Sequence, residues 1–229
     1  MEQSKKRSHH DEKNNKMKKP RPTVVAVESS RDLPIHQYKD MIVESVKAHQ
    51  TTILVGETGT GKSTQLPQFL AEYFGKDNKC VVCTQPRRVA AVTIAQKVAS
   101  EQGCNVGEKV GYSIRFEDKC SNKTRIKFVT DGVLLRECMS DKKLSKYSVV
   151  ILDEAHERSL QTDILMGLLR NMQEHRPDLR IVVMSATLQT ELFSNFFKVS
   201  FHVYAILSRQ CSCLKLRSHC FLLYNTMYY

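Results

Sequence analysis

Glycines at positions 56, 59 and 61 stand directly ahead of an amine and a hydroxyl, Lys62 and Ser63, in the run Gly56-Glu57-Thr58-Gly59-Thr60-Gly61-Lys62-Ser63-Thr64. The spacing is G-x-x-x-x-G-K-S. Glycines let successive backbone N–H groups curl around phosphate oxygens, and a helix starting at the lysine adds the positive end of its dipole. Lys62 then reaches the β- and γ-phosphates of a nucleotide, while the Ser63 hydroxyl completes the shell of a Mg²⁺ ion. A glycine-rich turn that binds nothing is the alternative. It is disfavoured because an apolar strand precedes this loop and an amphipathic helix follows it.

Binding does not imply hydrolysis, which needs one carboxylate for the metal and another for the attacking water. Val149-Val150-Ile151-Leu152-Asp153-Glu154-Ala155-His156 ends a buried apolar run in two acids. Asp153 at the strand tip suits Mg²⁺ through its water shell, and Glu154 suits the general base. The competing reading is a pair of solvated loop acids. His156, taken alone, reads as a hydrogen-bonding loop residue.

The elements that must hold these groups follow from hydrophobic pattern. Between residues 31 and 198, Thr51–Val55, Cys80–Thr84, Ile126–Thr130, Ser148–Leu152 and Arg180–Met184 are apolar at their centres, Lys127 excepted. Continuous rather than alternating apolar runs predict strands buried on both faces of a parallel sheet. Leu66, Phe69, Leu70, Tyr73 and Phe74 recur at helical spacing and predict a helix over 64–74, stopped by Gly75. The fold class is therefore α/β: an open, mainly parallel sheet with helices on both faces and ligands at the carboxyl ends of the strands.

Five stretches in this order, "GETGTGKST", "TQPRRVAA" (84–91), "TDG" (130–132), "DEAH" (153–156) and "SAT" (185–187), resemble the DEAH-box RNA helicases of superfamily 2. "GYSIRFED" (111–118) and "LLRE" (134–137) are similar to that family too. The resemblance covers about residues 31–198. It implies the first of two RecA-like domains of an ATP-dependent RNA helicase, with ATP and Mg²⁺ as ligands. Carried over by position, Gly56 to Thr64 would bind ATP, Lys62, Asp153, Glu154 and His156 would be catalytic, and Ser63 and Asp153 would hold the metal. Ser185, Ala186 and Thr187 would couple hydrolysis to strand movement, with His156 contacting that relay. Arg87, Arg88, Arg115, Thr130 and Asp131 would lie along the RNA track. Paired arginines at strand ends suit phosphate oxygens and read no bases, though by themselves Arg87 and Arg88 also read as a surface salt-bridge pair. One position departs from the family pattern: Lys97 stands where many relatives carry an Arg, and a lysine has no planar face to stack on a base. The implied partners are RNA, G-patch-type or other helicase cofactors, and RNP assemblies; the basic clusters at residues 5–7 and 18–21 set the expected location as the nucleus or nucleolus in preference to the cytoplasm.

Composition agrees with an anionic partner. The formal net charge is +11 over 229 residues, but residues 1–22 hold eight Lys or Arg against three acids and residues 199–229 hold no acid. Residues 1–30 read as a disordered basic arm. Within it, Lys5-Lys6-Arg7 and Lys18-Lys19-Pro20-Arg21 match a bipartite nuclear-import signal, with a solvated basic arm as the plainer reading. The arm has no apolar h-region, so the eight cysteines are expected as reduced thiols and no signal peptide is read. No apolar run approaches the roughly 18 residues of a membrane span. Cys80 and Cys83, three apart in a strand, point to opposite faces and cannot chelate together. Cys211, Cys213, His219 and Cys220 match no zinc spacing. His9-His10 has no partner ligand nearby.

Residues 199–229 lack Gly, Pro, Asp and Glu, which sets them apart as an atypical tail outside the family fold. In the resembling family a second domain supplies arginine fingers and closes the adenine and RNA sites. Nothing like it follows Thr187 here. The expectation is a first helicase domain, truncated before its partner, and an absent finger typically costs about 10³ to 10⁵ in rate. A nucleotide- and RNA-binding module that competes with an intact helicase is the second expectation. A different P-loop NTPase, such as a DNA-directed motor, is the third.

Overall fold

The computed structural model describes residues 33–75, 79–186 and 196–197, with three further strand segments at 202–206, 215–217 and 220–222. The basic arm, Thr187 and the tail's cysteines lie outside the described side chains.

Each apolar run becomes a strand. In chain order the strands are β1 (Thr51–Gly56), β2 (Cys80–Gln85), β3 (Val110–Ile114), β4 (Glu117–Lys119), β5 (Ile126–Thr130), β6 (Tyr147–Leu152) and β7 (Arg180–Ser185). Strands β1, β2 and β6 are buried along their whole length, as two-sided coverage requires. Helices α1 (Lys39–Ala48), α2 (Lys62–Phe74), α3 (Arg88–Glu101), α4 (Asp131–Ser140) and α5 (Leu160–His175) cover the faces. The sheet runs β4-β3-β5-β2-β6-β7-β1 and continues to β8 (His202–Ile206), which pairs in parallel with β1. All pairings in this sheet are parallel except the β3–β4 hairpin. The tail also holds β9 (Lys215–Arg217) and β10 (Cys220–Leu222), an antiparallel pair.

Successive residues of each strand enter opposite core layers. Ile53, Val82, Val150, Leu152 and Val183 pack with α4, α5 and Phe197, while Leu54, Val81, Val149, Ile151 and Val182 pack with α1, α2 and α3. Cys80 lies in the first layer and Cys83 in the second, so the two thiols face apart. The one polar intrusion into the apolar runs is also accounted for. Lys127 Nζ donates to Glu137 Oε1 at 2.8 Å, and Tyr147 OH donates to the other oxygen at 2.6 Å. Gly75 does cap α2, but with φ −75°. Its reason for being glycine is proximity, because a Cβ there would lie 2.4 Å from the Ala71 carbonyl oxygen.

Two elements escape the hydrophobic pattern. Strand β4 is Glu-Asp-Lys, exposed throughout, and is held by pairing with β3 and by side-chain bonds from Tyr112 and Ser113. Strand β3 is five residues long and contains a glycine and a serine, which weakens its apolar signal. Among the described residues no helix is long and apolar enough to cross a membrane.

Candidate functional site

Strand order decides what meets at the carboxyl edge. Reading along it, Thr130 ends β5, Gln85 ends β2, Asp153 follows β6, Ser185 ends β7 and Gly56 ends β1. The two acids therefore stand between the arginine-bearing β2 loop on one side and the glycine loop on the other.

The glycine loop is shaped by backbone that only glycine adopts without strain. Gly59 and Gly61 have φ of 86° and 95°. A Cβ on Gly61 would sit 3.0 Å from both Ile35 Cγ2 and Leu33 Cδ1, whereas one on Gly59 would meet nothing within 4 Å. The loop is thus packed from behind and open in front. Ile35 N–H donates to the Thr60 carbonyl at 3.2 Å, and the Thr60 hydroxyl closes onto the Glu57 carbonyl at 2.9 Å. Gly61 is the N-cap of α2, so Lys62 and Ser63 begin the helix whose N-terminus faces the hollow. Lys62 is buried. Its Nζ donates to the carbonyls of Gly56 and of Glu57, the latter at 2.8 Å. Burial holds its amine below the usual lysine range, opposed by Asp153, Glu154 and Glu57. A 180 Å³ cavity in front is lined by Thr58, Gly59, Lys62, Ser63, Lys97 and Glu154 among others. Thr64 lies on its wall.

Asp153 is 2 % exposed and receives two hydrogen bonds, from Gln85 Nε2 at 2.6 Å and from the Glu154 N–H at 2.9 Å, with the Ser63 side chain nearby. Burial pushes this carboxyl up, and those bonds pull against the shift. Glu154 follows in the left-handed region, φ 52°, a strained position for a non-glycine residue that swings its carboxylate to the cavity wall. Burial raises its carboxyl above the ordinary range, and the Asp153 charge adds to that, with His156 and Lys62 opposing. The Ala186 N–H donates to His156 Nδ1 at 3.4 Å. The proton of a neutral His156 is then assigned to Nε2. The same Nδ1 lies 3.5 Å from Glu154 Oε2, a close approach rather than a hydrogen bond in that tautomer. Ser185 is buried at the end of β7.

The residues expected along the RNA track separate into two groups. Arg87, Arg88 and Arg115 are exposed and Thr130 partly so. Arg87 is the N-cap of α3 and donates to Glu157 Oε1 at 3.0 Å, with its side chain 75 % exposed. The salt-bridge alternative and the strand-end position thus both hold for it. Arg115 lies at the β3–β4 turn with its guanidinium 4.8 Å from the ring centre of Phe116, which is 90 % exposed at φ 70°. Thr130 is the N-cap of α4, and its side chain caps nothing. Asp131 departs from the group. It is 2 % exposed and turned inward, so its carboxylate does not present itself to a ligand as the other four can.

Sequence reasoning passed over Gln85, Glu157, Ser159 and Thr162, all of which touch the expected residues. Gln85 was within reach, because it directly follows Thr84 in "TQPRRVAA"; the other three are defined only by tertiary contact. Two larger hollows, of 600 and 450 Å³, lie away from this edge, the first at the amino-terminal ends of β2 and β6 beside Cys80 and Tyr147. Ligands of open parallel sheets collect at the opposite edge, where the glycine loop lies.

The sequence profile of the DEAD/DEAH box helicases matches residues 36–194. The chain is 52% identical over 168 residues to the probable ATP-dependent RNA helicase DHR2 of Saccharomyces cerevisiae, a match covering 72% of this chain and 23% of that protein. It is 53% identical over 178 residues to the pre-mRNA-splicing factor ATP-dependent RNA helicase prp22 of Schizosaccharomyces pombe, covering 77% of this chain and 15% of that protein. The chain thus spans less than a quarter of the length of these curated relatives.

Proposed function

The chain belongs to the DEAD/DEAH box helicase family, and from that membership we propose that it is the ATP-binding domain of an RNA-dependent ATPase that remodels RNA or RNP. The observation that carries the reading is the left-handed Glu154, which sets a raised-pKa carboxylate on the wall of the glycine-loop cavity beside the buried Asp153. The site fits ATP·Mg²⁺. Open space in front of Gly59, the α2 N-terminus and Lys62 suit three phosphates. Ser63 and Asp153, near each other at the cavity, are the hard oxygen donors that magnesium takes alongside phosphates. When bound, the ion neutralises charge on the phosphates.

The chain's own groups then divide the work. Lys62 exchanges its two loop carbonyls for phosphate oxygens, which relieves the cost of its burial. Glu154 takes the proton of the attacking water and orients it. His156 accepts from Ala186 N–H beside Glu154, and the 185–187 segment carries the change toward the RNA side. Arg87, Arg88, Arg115 and Thr130 bind RNA phosphates without reading bases. The basic arm and the name of the splicing relative support a nuclear RNA or RNP as the partner.

Steady-state ATP turnover with and without single-stranded RNA tests this, with Glu154→Gln as the comparison. Loss of a general base costs about 10²- to 10⁴-fold. RNA-stimulated turnover that falls by that amount is the expected result. Turnover should also rise with pH on an acid limb displaced above the ordinary glutamate range, because only ionised Glu154 accepts a proton. Turnover indifferent to Glu154→Gln would sink the reading. A second reading, nucleotide and RNA binding with little turnover, is favoured by one observation. The cavity of 180 Å³ is smaller than the roughly 300–1,000 Å³ of complete ligand pockets. Tight ATP binding without turnover in the 229-residue chain would select it.

A further inference from the structure

Asp131 is a buried carboxylate with no ion pair among the described residues. Taking such a group from water is costly unless hydrogen bonds replace the water. Here only one oxygen is served: Oδ2 receives the Thr162 hydroxyl at 2.6 Å and lies 3.4 Å from the Ser159 hydroxyl. Oδ1 is buried and makes no hydrogen bond among the described residues. A first-turn acid favours a helix dipole wherever it points, which does not explain its being turned inward toward another helix.

What it meets is the start of α5. Ser159 is the N-cap of that helix, accepting from Thr162 N–H at 3.0 Å, and the Ser159 and Thr162 hydroxyls are 2.6 Å apart. One assignment satisfies every donor once. Thr162 N–H donates to Ser159 Oγ, the Ser159 hydroxyl to Thr162 Oγ1, and the Thr162 hydroxyl to Asp131. Such a chain of aligned hydroxyls ending on a charge strengthens each link.

Both ends of this contact are tied to the site. Asp131 directly follows Thr130, the N-cap of α4 at the proposed RNA edge. Ser159 ends the turn that carries Glu154, in which Glu154 and Arg158 are both left-handed and Ala155 is buried. That turn has two internal bonds, Glu157 N–H to the Glu154 carbonyl at 2.9 Å and Arg158 N–H to the Ala155 carbonyl at 3.4 Å. It is short and closed, so moving its C-terminal end moves Glu154.

We infer that Asp131, with Ser159 and Thr162, is a positioning brace that ties the RNA edge at Thr130 to the turn bearing Glu154, and that Asp131 itself does not touch RNA. The inference rests on the proposed function for its RNA and ATP, but the brace exists in the free protein. Two sites joined by a shared element show reciprocal coupling, and typical coupling is about five- to 150-fold in affinity.

The test uses the 229-residue chain and Thr162→Val, Thr162→Ser and Asp131→Asn. Amide exchange of residues 154–159 is measured without ligands. Affinities for AMP-PNP·Mg²⁺ and for a single-stranded oligouridine are then measured alone and together. Thr162→Val should speed exchange in 154–159 and erase the coupling, while each ligand bound alone keeps its affinity within about twofold; Thr162→Ser should restore both. Asp131→Asn should leave oligouridine affinity unchanged. Unaltered exchange at 154–159 in Thr162→Val, or weakened RNA binding in Asp131→Asn, overturns the brace. If the parent chain binds neither ligand, the proposed function fails, and the exchange data still decide whether the brace holds the turn.

Discussion

Asp153 illustrates at the scale of one residue how a buried carboxylate works against the stability of the fold around it. Its carboxyl is raised by burial. A group whose folded pKa is raised binds protons more readily in the native state, so the folded state loses stability as pH climbs from the ordinary aspartate value through the folded one. Near neutrality the buried charge is a net cost, and Asp153→Asn removes it while keeping an acceptor. Thermal unfolding of the nucleotide-free chain should show the variant melting higher at pH 7, by about 2–4 °C for each kcal/mol relieved. Acidification should narrow that gap as Asp153 of the parent takes up its proton. A gap that widens on acidification would contradict the assignment. Lys62 carries the matching cost with the opposite sign of charge, since burial lowers its pKa. The Asp153 charge in turn raises the Lys62 pKa, and the Lys62 charge lowers that of Asp153.

Elements set what each residue faces, and the glycine loop separates two reasons for glycine. At Gly59 the backbone is left-handed but the space is open, so alanine brings strain alone. At Gly61 the same strain is joined by contact with Ile35 and Leu33 at 3.0 Å. Holding a non-glycine residue at such φ costs about 1–3 kcal/mol. Gly61→Ala is therefore expected to lower stability more than Gly59→Ala, and a chemical-denaturation series on the two variants checks the order. Equal losses would mean that the segment holding Leu33 and Ile35 moves away freely. Element pattern was readable in the chain wherever burial was two-sided: the runs at β1, β2, β5, β6 and β7 and the apolar spacing of α2 all announced themselves. Strand β4 did not, because three exposed polar residues carry no periodic signal and exist as a strand only through hydrogen bonds to β3. The brace at Asp131 was equally hidden. Its position in "TDG" placed it beside Thr130 at the strand end, but a helix N-terminus presents successive residues in different directions. Which of them turns toward α5 depends on where α5 packs.

For the whole molecule, charge and strand order act together. The net charge of +11 gives a general attraction for polyanions, whereas the exposed Arg87 and Arg88 are local to the β2 edge. Each phosphate contact to a single strand contributes about 0.7 to the slope of log affinity against log salt. The double variant Arg87→Ala/Arg88→Ala should lower that slope by about 1.4 in an oligouridine titration. A slope unchanged in the variant would assign RNA attraction to other charges, the basic arm first among them. The amino-acid sequence by itself determined the chemistry and the edge at which it gathers: glycines, Lys62, Ser63, Asp153 and Glu154 each sit at the end of a buried apolar run or at the start of a helix, and local periodicity is enough to read that. Only the tertiary structure decided the order of those ends. Pairing β6 between β2 and β7 puts the two acids between the arginines and the glycine loop, and packing α4 against α5 turns Asp131 from the ligand edge into the interior. Strand pairing and helix packing are contacts between residues far apart in the chain, and the period of a segment states which faces are apolar without stating which neighbour will cover them.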